Sequence, residues 1–262
     1  MMRKRMSSAD RLRYDQGDLS EKGLEKMTAK EILEQLKPLG RESYKKVLTK
    51  NHGVKEPCFG VPVSAMKVFQ KRIKKDYQLA LELYDTGNYD AMYLAGLIAD
   101  DARMTRTDLQ RWAEKASGGA LPSATVPWVA AGSPHGKEMA LKWIESPKSQ
   151  VAIAGWATLR SLVSIKEDSE LDLQELKDLL ERVRRSIHQT PDVVRSQMNG
   201  FLIAVGIYVK PLTESALQIG EKIGPVTADL GDNDCKVPFA PDYIRKAQKR
   251  GAIGKKRKSA KC

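Results

Sequence analysis

The sequence has little that would make it a secreted, membrane or sheet protein. Its three cysteines, Cys58, Cys235 and Cys262, are far apart and odd in number. Neither a disulfide framework nor a zinc site follows, and a reducing cytoplasm is the simplest compartment. Long apolar runs are missing too: residues 91–99 and 201–209 reach about half a membrane span. The basic N-terminus, MMRKRMSSADRLRYDQGD, lacks the apolar core of a secretory signal. No convincing run of alternating β-branched residues is present, which argues against a sheet. Glycine-rich phosphate loops, nucleophile elbows and metal-ligand spacings are absent, so no cofactor and no metal are expected. His52, His135 and His188 are scattered and read as structural.

What is there is a succession of helices. Ser133-Pro134, Ser146-Pro147 and Thr190-Pro191 each offer an N-cap hydroxyl followed by a proline at the first helical position. Thr28-x-x-Glu31 is a capping box opening a helix over 29–36. Apolar spacing predicts further helices over 41–50, 64–75, 77–84, 89–98, 105–116, 135–144, 148–165, 173–187, 192–209, 214–223 and 242–250. Residues 121–131 are ambiguous, because Pro122 and Pro127 interrupt any helix there. Helices end to end with no sheet to cover imply an all-α, HEAT/armadillo-like, right-handed solenoid of about five or six helical pairs. The expected organisation is a disordered tail over 1–26, the solenoid over 27–225 and a basic C-terminal segment over 226–262.

The net charge of +12 is unevenly placed. Residues 243–262 carry nine Lys/Arg and no acid, residues 1–13 add +4, and residues 14–242 come to −1. Basic tails of this kind hold phosphate backbones by counterion release. Lys255, Lys256, Arg257 and Lys258 are the candidates there, and Lys71, Arg72, Lys74 and Lys75 are those on the wet face of the helix over 64–75. Arg195 and Asn199, at i,i+4 spacing in the helix over 192–209, share a face and are candidates for phosphate or sugar. Trp112, Trp143 and Trp156 sit among apolar neighbours and read as packing residues. Trp128, in the proline-interrupted segment, is the candidate for stacking on a base. Asp100-Asp101 reads as a turn pair.

The stretch from Tyr89 to Asp101, YDAMYLAGLIADD, followed by Thr105 to Trp112, resembles the bacterial DNA alkylation repair proteins, HEAT-like-repeat alkylpurine DNA glycosylases. Gly53-Val54 ahead of Val61-Pro62, and Trp156-Ala-Thr-Leu159, extend the likeness across about residues 28–225. The resemblance implies a curved solenoid whose basic concave face holds duplex DNA. In active members a Trp-Asp-x-x-Asp stretch approaches the damaged nucleoside, and an arginine two helices on assists. The carboxylate stabilises oxocarbenium-like charge as the cationic base leaves. Here the corresponding stretch, residues 118–125, reads GGALPSAT and has no Trp, Asp or Glu. Around the arginine's place stand Val151, Ala152 and Ile153.

The expectation is therefore a monomeric DNA-binding protein of this family that recognises damaged or structured duplex DNA with weak or no base excision. One alternative is an active 3-methyladenine/7-methylguanine glycosylase using another acid, such as Asp100, Asp101 or Glu138. Another is a HEAT-like protein-interaction scaffold, with which the near-neutral body is consistent.

Overall fold

The computed structural model describes residues 27–55, 57–229 and 236–261. The expected disordered tail, along with Cys235 and Cys262, lies outside the described residues. Helix accounts for 71% of the described residues, with no strand among them. The elements are α1 (Ala29–Leu36), α2 (Glu42–His52), α3 (Val63–Ile73), α4 (Tyr77–Asp85), α5 (Tyr89–Ile98), α6 (Arg106–Lys115), α7 (Val126–Gly132), α8 (Gly136–Trp143), α9 (Ser149–Ile165), α10 (Leu173–Ser186), α11 (Asp192–Tyr208), α12 (Thr213–Ile223) and α13 (Ala240–Lys249).

Several starts are chemically explicit. Thr28 and Glu31 close the capping box of α1, and Thr105 with Asp108 closes one on α6. The three hydroxyl-proline pairs behave otherwise. Ser133 and Ser146 hydroxyls accept from the amides of His135 and Lys148, two residues on, at 3.2 Å each. The Thr190 hydroxyl donates back to the Ser186 carbonyl at 2.8 Å. A nearer amide, or the preceding helix's last turn, competes successfully for the hydroxyl. The prolines then precede their helices instead of occupying the first turn.

The ambiguous segment is helical. Residues 121–125 form a π-turn, in which Thr125 and Val126 donate five residues back to Ala120 and Leu121, and α7 follows directly. Pro127 has no N–H to return to the Ser123 carbonyl four residues earlier. Arg160 of α9 supplies that hydrogen bond instead, Nη2 to O at 2.9 Å.

α9 is the central element. It packs against α7, α8 and α11, and its two faces enter two cores. Val151, Ala154 and Leu162 belong to the N-terminal core, whereas Ala152, Trp156, Leu159 and Val163 belong to the C-terminal one. A helix apolar all round is buried all round. No single helix among the described residues is long and apolar enough to cross a membrane.

Candidate nucleic-acid interface

A groove of about 660 Å³ opens where several segments meet. The end of α2 and the turn after it bring Lys50, His52 and Lys55, and the loop after α6 brings Ser117, Gly118 and Gly119. The π-turn adds Pro122 and Ser123, α9 adds Ser149, Gln150 and Ile153, and α11 adds Val193, Ser196 and Gln197. Asp229 also lines the groove, its amide donating to Asp192 at 2.6 Å.

Two buried residues hold the walls in place. Asp90 is fully buried, and its carboxylate accepts from the amides of Phe59, Gly60 and Val61 at 2.6, 3.2 and 2.8 Å. That fixes the connector between α2 and α3. The adjacent Tyr89 hydroxyl accepts from the Ala120 amide at 3.2 Å, fixing the loop before the π-turn. Burial pushes its phenol well above the ordinary tyrosine range. Gly118 has φ +73°, and a Cβ there would meet the Gly53 carbonyl oxygen at 2.1 Å. The two backbones cross too closely for any side chain.

The groove's positive potential comes from backbone and lysine, against the carboxylate of Asp229. α9 and α11 both start without a side-chain cap, and their first turns line the groove. Uncapped N–H groups and the positive end of the helix dipole suit an anion. Lys50 and Lys55 add charge at the exposed rim. The stretch 118–125 presents no carboxylate to the groove.

At the opposite ends of the same helices lies the C-terminal segment. After α13, whose Ile244 is fully buried, residues 251–261 run as a strap across the helix C-termini. The Gly254 amide donates to Ile207 of α11 at 2.8 Å, and the Arg257 amide to Ser164 of α9 at 2.8 Å. Lys256 Nζ reaches the Val163 carbonyl at 3.1 Å and Asp168 at 2.8 Å. Lys261 Nζ reaches the Ala99 carbonyl at 3.0 Å and Asp101 at 2.7 Å. Cations here answer the last carbonyls of α5 and α9 and the negative ends of their dipoles.

The candidates from the sequence therefore divide. Lys71, Arg72, Lys74, Lys75, Lys255, Arg257 and Lys258 are exposed. Lys75 approaches Asp100 at 3.8 Å, beside the Asp101–Lys261 pair, so the α3 cluster and the strap meet at one turn. Lys256 is a correction: its side chain is 8% exposed and is used within the fold. Trp128 is another. It is 7% exposed, edge-on to Tyr93 at 5.7 Å, because the π-turn turns this segment into a core helix instead of a loop. Asn199 is buried too, its amide nitrogen donating to the Pro238 carbonyl at 2.9 Å. Arg195 is occupied by the carbonyls of Thr190 and Thr227 and by Asp192. The alternative acids are engaged elsewhere: Glu138 pairs with Arg106, and neither it nor Asp100 nor Asp101 lines the groove.

Sequence reasoning missed Asp90, Tyr89 and Arg160. Asp90 carried one signal, a carboxylate inside an otherwise apolar helix.

A solved structure described as "a new family of proteins related to the HEAT-like repeat DNA glycosylases with affinity for branched DNA structures" is similar to this chain. Its TM-score is 0.82 and its identity 38%, over 90% of this chain and 100% of that one. The architecture is thus an all-α, HEAT-like solenoid. Uncharacterized proteins of Listeria innocua and Listeria monocytogenes are each 28% identical over 207 residues, 77% of this chain and 89% of theirs. The family described as DNA alkylation repair enzyme matches residues 32–228, and the chain belongs to that family.

Proposed function

We propose that this protein binds branched or otherwise structured duplex DNA through the groove and the strap, and excises alkylated bases slowly or not at all. One observation carries the reading. The groove offers phosphate-binding features, two uncapped helix N-termini flanked by lysines, where the glycosylases' carboxylate would stand. Such a site holds a backbone, and the stretch where the family's carboxylate would stand offers nothing to stabilise an oxocarbenium ion. The affinity for branched DNA of the similar solved protein supports the same substrate class. The scattered cysteines support a cytoplasmic setting, and the protein acts as a monomer in this reading.

The test has two arms. Anisotropy titrations compare a three-way junction with a linear duplex of equal length, and the junction is expected to bind more tightly, with an affinity that falls steeply with salt. Single-turnover assays with protein in excess follow release of 7-methylguanine and 3-methyladenine. Absence of the missing charged group costs on the order of 10²–10³ in rate, so release near the spontaneous level is expected. Salt-insensitive binding, equal affinity for both DNAs or fast release would overturn the reading.

A further inference from the structure

α3 ends on a lysine where the backbone favours glycine. Lys74, its C-terminal cap, has φ 63° and ψ −105°. Every other positive-φ position among the described residues is a glycine. A Cβ is unfavourable in this region, and glycine is the common residue just past a helix. Bonds on both sides hold Lys74 there. Its amide donates to the Gln70 carbonyl at 2.8 Å, and the Asp76 amide donates to the Ile98 carbonyl at the end of α5 at 2.9 Å. Asp76 also caps α4, its carboxylate accepting from the Leu79 amide at 3.0 Å. What lysine adds over glycine at this position is its side chain, and that side chain is exposed.

The charge around it has one sign. Lys67 and Lys71, one turn apart on the exposed face of α3, lead to Lys74, with Arg72 beside them, and the helix contains no acid. The carboxylates at this turn are engaged: Asp100 faces Lys75 at 3.8 Å, and Asp101 is held by Lys261 at 2.7 Å. Among the described residues Lys71, Arg72 and Lys74 pair with no carboxylate. This edge is set apart from the groove. α5 begins at Tyr89, which fixes the loop at the groove, and ends at Ile98, which receives the Asp76 amide. Its ten residues put the two ends about 15 Å apart. A straight duplex bends to reach both places, at an elastic cost, whereas a branch point offers a second arm without bending.

Resting on the DNA-binding reading above, we propose that the basic end of α3, centred on Lys74, is a second phosphate-binding site, which holds another arm of the branched DNA whose first arm lies in the groove. The backbone strain keeps a cation at the point where glycine would be more stable.

The experiment titrates the full chain with a three-way DNA junction and with a linear duplex of equal length, between about 50 and 200 mM salt, and follows thermal melting of the same proteins. Lys74→Gln keeps the strained backbone and removes the charge, whereas Lys74→Gly removes both. Lys177→Gln, which takes equal charge from an exposed lysine of α10 that lines neither place, is the control. Both Lys74 variants are expected to bind the junction roughly tenfold more weakly, as for loss of one hydrogen bond to a charged group. Their salt slope should fall by about 0.9, one phosphate's worth. Affinity for the linear duplex is expected to stay at the wild-type value, because that DNA uses the groove. Lys74→Gly should also melt about 2–4 °C above Lys74→Gln, as the strain is released. Wild-type junction affinity in Lys74→Gln would overturn the second site and leave binding in the groove intact. So would an equal loss on junction and linear duplex, since one continuous backbone would then span both places. A glycine variant that melts below the glutamine variant would overturn the assignment of Lys74, because the lysine would then serve the fold. Failure of wild type to bind the junction would remove both readings.

Discussion

Buried carboxylates are costly unless their oxygens are used, and Asp90 uses both. It satisfies three amides of a connector about thirty residues earlier in the chain. An asparagine keeps the shape but turns one oxygen into a donor facing N–H groups. Asp90→Asn is expected to cost about 2–3 kcal/mol in urea denaturation, and Asp90→Ala more. Equal stability would mean the connector holds without it. Trp128 calls for a different expectation. With its ring in the core against Tyr93, Trp128→Ala should cost about 3–5 kcal/mol, while the folded fraction keeps its junction affinity. A stacking residue would show the reverse: intact stability and lost affinity.

At the scale of elements, sequence patterning reaches as far as local chemistry does. The bounds of α1 and α5 follow from a capping box and from apolar spacing alone, and both agree with the structure to the residue. The proline-rich stretch does not read as helix, because its missing hydrogen bond is made by Arg160, 37 residues away. The strap is hidden for the same reason. Lys261 meets Ala99 across 162 residues, a pairing that no local pattern announces. That anchor also gives a pH-dependent prediction. Burial pushes the Asp101 carboxyl above the ordinary aspartate range, and Lys261 pulls it back. The folded state then holds the proton more tightly than the unfolded chain, so stability falls as pH rises from the unfolded value through the folded one. Lys261→Met removes the opposing charge and widens that window upward. The variant should lose about 3 kcal/mol at pH 7 and progressively less as pH falls and Asp101 takes up its proton. A cost independent of pH would show that the carbonyl contact, not the ion pair, is what Lys261 contributes.

For the whole molecule, the issue is whether the basic C-terminus is a tail or a part of the fold. The composition of residues 243–262 is that of a solvated tail, and its charge legitimately points to phosphate. Burial of Ile244 and the two lysine anchors make it a structural element that also presents charge. The two ideas differ in what truncation after Arg250 does. A free tail would leave the melting temperature unchanged, and losing its five Lys/Arg would lower the salt slope by up to about 4.5. A strap with Lys256 and Lys261 engaged internally leaves only Lys255, Arg257 and Lys258 for DNA. The slope should then fall by no more than about 2.7, three phosphates' worth. Melting should drop on the order of 10 °C, because Asp101 and Asp168 lose their partners and the ends of α5, α9 and α11 lose their caps. Calorimetry and junction titration on the same truncated protein separate the cases. A stable truncation with a large slope change would return the segment to the status of a tail.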